Sequence, residues 1–173
     1  DNQTYCSKEK VIVCTLPVDI RVRVLEQYKD VVWRQWQQQV LKIVNGLPDN
    51  RTFHWFWEHT GNVGKSYLAK YIYLTKRTII ADGKKDNVFN QIKTYMDEHE
   101  DDPQFDVVLL DIPRYNLEYI NYGMLEQIKN GLIYSGKYEG GVCLFDNVHL
   151  IIFANEPPDT SRLSFDRWNV IAI

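Results

Sequence analysis

The chain has 173 residues, 45% of them hydrophobic and 25% charged, with a formal net charge of −3 at pH 7. That size fits one domain with a sizeable core, or a domain with a short appendage, and the acidic balance excludes a surface that attracts nucleic acid everywhere. Contact with a polyanion therefore needs a local basic site, or a ring of such sites made by oligomerisation.

No apolar run approaches the ~18 residues that span a bilayer, so no membrane partner is expected. Cys6, Cys14 and Cys143 have no metal-ligand spacing, and their odd number argues against a disulfide-stapled secreted domain. The chain opens on Asp1-Asn2-Gln3 without an initiator methionine, which predicts a piece of a larger protein.

Residues 1–24 read as an extended lead-in, with short apolar stretches broken by Pro17. From Leu25 to Val44 the apolar positions Leu25, Tyr28, Val32, Trp36, Val40 and Ile43 recur three or four apart and predict one helix. Gly46 and the Leu47-Pro48-Asp49-Asn50 turn end it, so residues 1–50 form a predicted helical appendage to residues 51–173. Gln37, Gln38 and Gln39 suit a helix but name no partner.

Residues 52–57 read as an aromatic strand, followed by a helix from Lys65 with Leu68 and Ile72 inward. Thr78–Ala81 is a short strand, and Val88, Phe89, Ile92, Tyr95 and Met96 mark the next helix, whose exposed end is the acidic run Asp97–Asp102. Val107–Leu110 is uniformly apolar, as in a central strand covered on both faces. A helix around Ile120, Met124 and Ile128 ends at Gly131; a hairpin over 132–145 and strands at Leu150–Phe153 and Val170–Ile173 follow. Alternating buried strands and helices predict a three-layer α/β fold.

The strongest local signal is Gly61-Asn62-Val63-Gly64-Lys65-Ser66, set between a strand and a helix. The glycines let the backbone fold around phosphate oxygens, and the helix adds its positive N-terminal end. Lys65 brings charge to the β and γ phosphates of a nucleoside triphosphate, and Ser66 offers a hydroxyl to Mg2+. The common G-x-x-x-x-G-K-[ST] pattern puts glycine where this chain has His59. A guanine-reading Asn/Thr-Lys-x-Asp segment does not occur, so ATP is the expected nucleotide.

Asp111, at the end of the buried strand, is placed to hold the magnesium shell. The next residue is Ile112, where many such ATPases carry a second acid; either Asp111 serves both purposes or another acid, such as Glu58 or Glu118, reaches the attacking water. Asn155, ending the strand His149–Ala154, is placed to hydrogen-bond the γ phosphate or that water. Arg167, before the last strand, suits charge neutralisation on a transferred phosphoryl group, often across a subunit boundary; an ordinary salt bridge to Asp166 is the alternative.

The order of these pieces resembles the superfamily 3 helicase domain of the replication-initiator (Rep) proteins of circular single-stranded DNA viruses, nanoviruses, their satellites and circoviruses. The resemblance rests on Trp55-Phe56-Trp57, Gly61–Ser66, Asp111-Ile112-Pro113-Arg114, Ile120–Gly123, Lys129-Asn130-Gly131, Gly136–Glu139, Ile152–Asn155 and Asp166-Arg167, over residues 50–173. Such proteins often have Gly-Pro-x-Gly-x-x-Gly-Lys, so Glu58 and His59 stand where that family has glycine and proline. The resemblance implies an AAA+-like phosphate-loop fold and an ATP-dependent helicase that works as a hexameric ring on single-stranded DNA in the host nucleus. It implies that Asn155 is the phosphate sensor, Arg167 the arginine finger and Lys137 part of the DNA-tracking hairpin; with a different hairpin register, Lys129 or Lys93 become the DNA candidates. The family's nicking domain has no counterpart in residues 1–173, so this chain is not expected to cut DNA. Two other readings stay open: a nucleotide-gated assembly module with little hydrolysis, and a metabolic phosphate-loop kinase.

Overall fold

The computed structural model describes residues 19–137 and 140–173. The chain divides into two compact units, residues 1–32 and residues 33–173. Most of the expected extended lead-in lies outside the described residues, and its last part is helical instead. Helix α1, Ile20–Glu26, starts where the Asp19 carboxylate accepts the Arg21 amide at 2.9 Å.

The single helix expected over 25–44 is broken. Helix α2 begins at Gln35 and runs to Asn45. Gln37 accepts the Arg34 amide through its side chain at 2.9 Å, and the Gln38 amide donates to the Trp33 carbonyl at 2.8 Å. These local bonds give the backbone an alternative to a continuous ladder and start a new helix. α2 belongs with the second unit, where Val40 and Val44 pack in one core with Phe56, Leu68 and Ile72.

The second unit is built on five parallel strands: β1 (Phe53–Trp57), β2 (Thr78–Ala81), β3 (Val107–Asp111), β6 (His149–Ala154) and β7 (Trp168–Ala172), in the order β2-β3-β6-β1-β7. Strands β4 (Leu132–Ser135) and β5 (Gly141–Leu144) form a separate antiparallel hairpin. Helices α3 (Lys65–Thr75), α4 (Lys85–Glu98) and α5 (Tyr122–Asn130) complete the layers. This is a phosphate-loop NTPase fold of the AAA+-like kind.

Strand period explains the layering. Val108 and Leu110 face one core with Leu150, Ile152 and Trp55; Val107 and Leu109 face the other with Ile151, Phe153 and Phe56. The first core is closed by Val88 and Ile92 of α4 and by Met124 and Ile128 of α5, the second by α2 and α3. All six residues of β6 are buried, and after His149 they read as an unbroken apolar run, Leu150 to Ala154. Since β6 separates β1 from β3, the carboxyl ends of these three strands open side by side, and ligands of open α/β sheets bind in such a crevice.

Candidate functional site

Beyond β1 the backbone turns through three left-handed residues, Gly61 (φ 86°), Asn62 (φ 59°) and Gly64 (φ 92°). Glycine takes these angles at no steric cost, and successive amides in such a turn point into one concavity. A Cβ on Gly64 would also meet the Gln37 side chain at 2.8 Å. Gln37 is buried, and its amide donates to the Gly64 carbonyl at 3.3 Å, so α2 props the loop from behind. Nothing in the glutamine run signals this, because the partner is far away in sequence.

The loop borders a cavity of about 540 Å³ lined by residues 61–67, residues 111–114 and Asn155. Lys65 donates to the Asn155 Oδ1 at 3.2 Å and to the Glu58 carboxylate. Ser66 Oγ lies 3.4 Å from Asp111 Oδ2. Burial pushes the Asp111 carboxyl up, against the opposing pull of the Ser66 hydroxyl and the Lys65 charge. A hydroxyl and a carboxylate this close are the hard oxygen donors that suit Mg2+, so these residues fit that ion.

Glu58 is the residue whose position is least legible in the sequence. It is 5% exposed, and it accepts the Gly61 amide at 2.6 Å and the Thr60 hydroxyl at 2.9 Å. Burial raises its pKa, but Lys65, Gly61 and Thr60 outweigh that and hold it down at about 2. Glu118, the other acid named as a candidate, lines a separate cavity with Asn121 and Arg162. Arg114, given no role beforehand, lines the phosphate-loop cavity and donates to the His59 carbonyl at 2.9 Å.

Arg167 does not join this group. It precedes β7, whose Trp168 pairs with Phe53 at the start of β1, whereas the phosphate loop leaves the other end of β1. Four strand rises, about 13 Å, separate those ends. Its place after the Pro157-Pro158 turn and before the last strand predicts a position near a subunit surface, but Arg167 is 7% exposed, with its guanidinium 3.4 Å from Glu126 and 5.7 Å from the Phe53 ring. Its Nε and Nη1 have no hydrogen-bond partner among the described residues. Asp166 pairs with Arg51 at 2.7 Å instead. Arg162, in the preceding loop, is exposed, with its guanidinium over the Tyr122 ring at 5.5 Å.

Lys137 is exposed just after β4, 3.0 Å from Asp86; residues 138 and 139 lie outside the described residues. It lines a cavity of about 360 Å³ with Lys84, Lys85 and Tyr119. Lys84 lies over the Tyr119 ring at 5.5 Å and Lys85 over the Tyr134 ring at 4.8 Å. Lys129 is excluded as a surface contact, since it is 2% exposed and donates to the Asp49 and Val148 carbonyls. Lys93 pairs with Asp97 at 3.0 Å.

No family model matches the chain. It is 39% identical over 137 residues to Para-Rep C9 of Faba bean necrotic yellows C9 alphasatellite, covering 79% of this chain and 46% of that protein. It is 40% identical over 142 residues to Para-Rep C10 of Milk vetch dwarf C10 alphasatellite, covering 80% and 47%. With the master replication protein of Banana bunchy top virus it shares 32% over 137 residues, covering 79% and 44%. The chain spans about half the length of the curated relatives it matches, and over that half it belongs to the replication-initiator (Rep) family.

Proposed function

We propose that this chain is the ATP-driven DNA helicase motor of a replication initiator, hydrolysing ATP to move along single-stranded DNA. The observation that carries the reading is the convergence of Lys65, Ser66, Asp111 and Asn155 on one cavity at the carboxyl ends of β1, β3 and β6, in a chain of this family. Loop amides and Lys65 receive the phosphates. Ser66 and Asp111 would hold Mg2+, which when bound neutralises charge on the β and γ phosphate oxygens. Asn155, already bonded to Lys65, orients the γ phosphate or the attacking water. Asp111 is the carboxylate best placed to take the proton of that water, since Ile112 offers none and Glu58 is committed to Lys65.

Lys137, Lys84 and Lys85 beside Tyr119 and Tyr134 support a single-stranded DNA contact, because ammonium groups track phosphates and aromatic faces stack on bases. A local patch of this kind reconciles DNA binding with a net charge of −3, above all when repeated around a hexameric ring. Family membership supports action in the host nucleus. An arginine offered to a neighbouring subunit is better supplied by exposed Arg162 than by buried Arg167.

Phosphate release by the purified chain, with and without single-stranded DNA, tests the reading. Stimulation by DNA together with strand separation is expected. Turnover that ignores DNA would favour a metabolic kinase, and binding without turnover an assembly module.

A further inference from the structure

The Glu58 carboxylate takes up donors that a phosphate loop ordinarily presents to its ligand. It accepts the Gly61 amide at 2.6 Å, the Thr60 hydroxyl at 2.9 Å and the Lys65 ammonium. It does so from a position 5% exposed, at the end of β1, where it cannot simply swing into water. Buried carboxylates are stable only while charge and hydrogen bonds compensate them, and here that compensation comes from the phosphate-binding residues themselves.

An arriving triphosphate therefore meets a second anion for the same cation. Lys65 carries a single positive charge, and the more it turns to phosphate oxygens the less it compensates Glu58. We propose that Glu58 is an internal competitor for Lys65 and the Gly61 amide, which keeps them oriented for phosphate and lowers the affinity of the loop for nucleoside triphosphate. Glu58 is thus a positioning residue that acts through Lys65. It weakens ground-state binding of substrate and product and so favours exchange of one for the other. The inference rests on the reading of residues 58–66 as a phosphate-binding loop.

The test is titration of a fluorescent ATP analogue onto the whole chain as wild type, Glu58→Gln, Lys65→Ala and the double variant, with Mg2+. Removing one charge-assisted bond that competes for Lys65 is expected to tighten binding by Glu58→Gln about tenfold. Most of that gain should vanish in the Lys65→Ala background, where only the Gly61 amide and the Thr60 hydroxyl are left to compete for. Equal or weaker binding by Glu58→Gln, with its melting temperature near that of wild type, overturns the proposal. Should Glu58→Gln fail to fold, Glu58→Asp keeps the charge but shortens the reach, and a smaller gain in affinity is expected. Wild-type or weaker binding by a folded Glu58→Asp also overturns it. Binding by neither wild type nor Glu58→Gln would instead remove the phosphate-loop reading, and this inference with it.

Discussion

The Lys65 ammonium lies 3.2 Å from the Asn155 side-chain oxygen Oδ1, joining the head of α3 to the end of β6 across 90 positions of sequence. Lys65→Ala is expected to abolish ATP turnover and to lower the melting temperature without unfolding the chain, because the buried Glu58 carboxylate loses its ion-pair partner while both cores stay intact. Asn155→Ala should lower kcat by about 100-fold with little change in nucleotide affinity, as for loss of a group that acts in the transition state. Steady-state kinetics beside an equilibrium titration separates the two effects; equal losses in both would deny Asn155 a catalytic role.

Asp111→Asn should keep nucleotide binding and lose most hydrolysis, with the Mg2+ concentration for half-maximal activity shifted upward. The Asp111 carboxylate faces Ser66 at 3.4 Å. A magnesium titration of activity checks this, and an unchanged magnesium response would rule the carboxylate out as a metal ligand.

Lys137→Ala and Lys84→Ala should each weaken single-stranded DNA binding and reduce the slope of log affinity against log salt by about one. ATPase activity without DNA should be little affected, since both lysines line a cavity separate from that of the phosphate loop. Tyr134→Ala should weaken binding without changing the slope, because stacking releases no counterions.

Arg167→Ala should act on stability. Its guanidinium is buried against Phe53 and Glu126, so truncation is expected to cost about 2–4 kcal/mol in urea unfolding. Arg162→Ala should leave stability unchanged and lower turnover. Mixing it with Lys65→Ala should restore part of the activity, provided native mass measurements show mixed oligomers. If mixed oligomers form and activity stays at the sum of the two variants, Arg162 does not act across subunits.

Burial, with Lys129 and His149 adding to it and Asp49 opposing, lowers the pKa of His54 from 6.5 to about 4. The folded chain therefore keeps His54 neutral while the unfolded chain takes up a proton below pH 6.5. This contribution is fully present above the unfolded value and is lost as pH falls through the folded one. Across that window it amounts to about 3 kcal/mol. Urea unfolding at pH 7.5 and pH 5 should read about 2 kcal/mol of it, since pH 5 lies inside the window, with His54→Gln expected to flatten the dependence. His149, also lowered by burial, adds to the dependence in the same direction.

The sequence alone determined the features whose causes are local. The glycine loop, the strand before it and the helix after it follow from residues within one turn of each other. The buried β3 and β6 follow from uninterrupted apolar runs, and α4 and α5 from their apolar spacing. Gathering Asp111 and Asn155 beside Lys65 was inferable from strand ends and family order, although their distances were not. Tertiary structure decided the rest. The break before α2 turns on side-chain bonds by Gln37 and Gln38 that compete with the helical ladder, and Gln37 then meets Gly64 from 27 positions away. Arg167 went to Glu126, Lys129 to two carbonyls at the base of the sheet, and Glu58 to Lys65. Each of these is a charged or polar group whose partner depends on which groups become buried together. Periodicity in the sequence marks which apolar face turns inward, but it carries no record of which donor and acceptor that burial will force to pair.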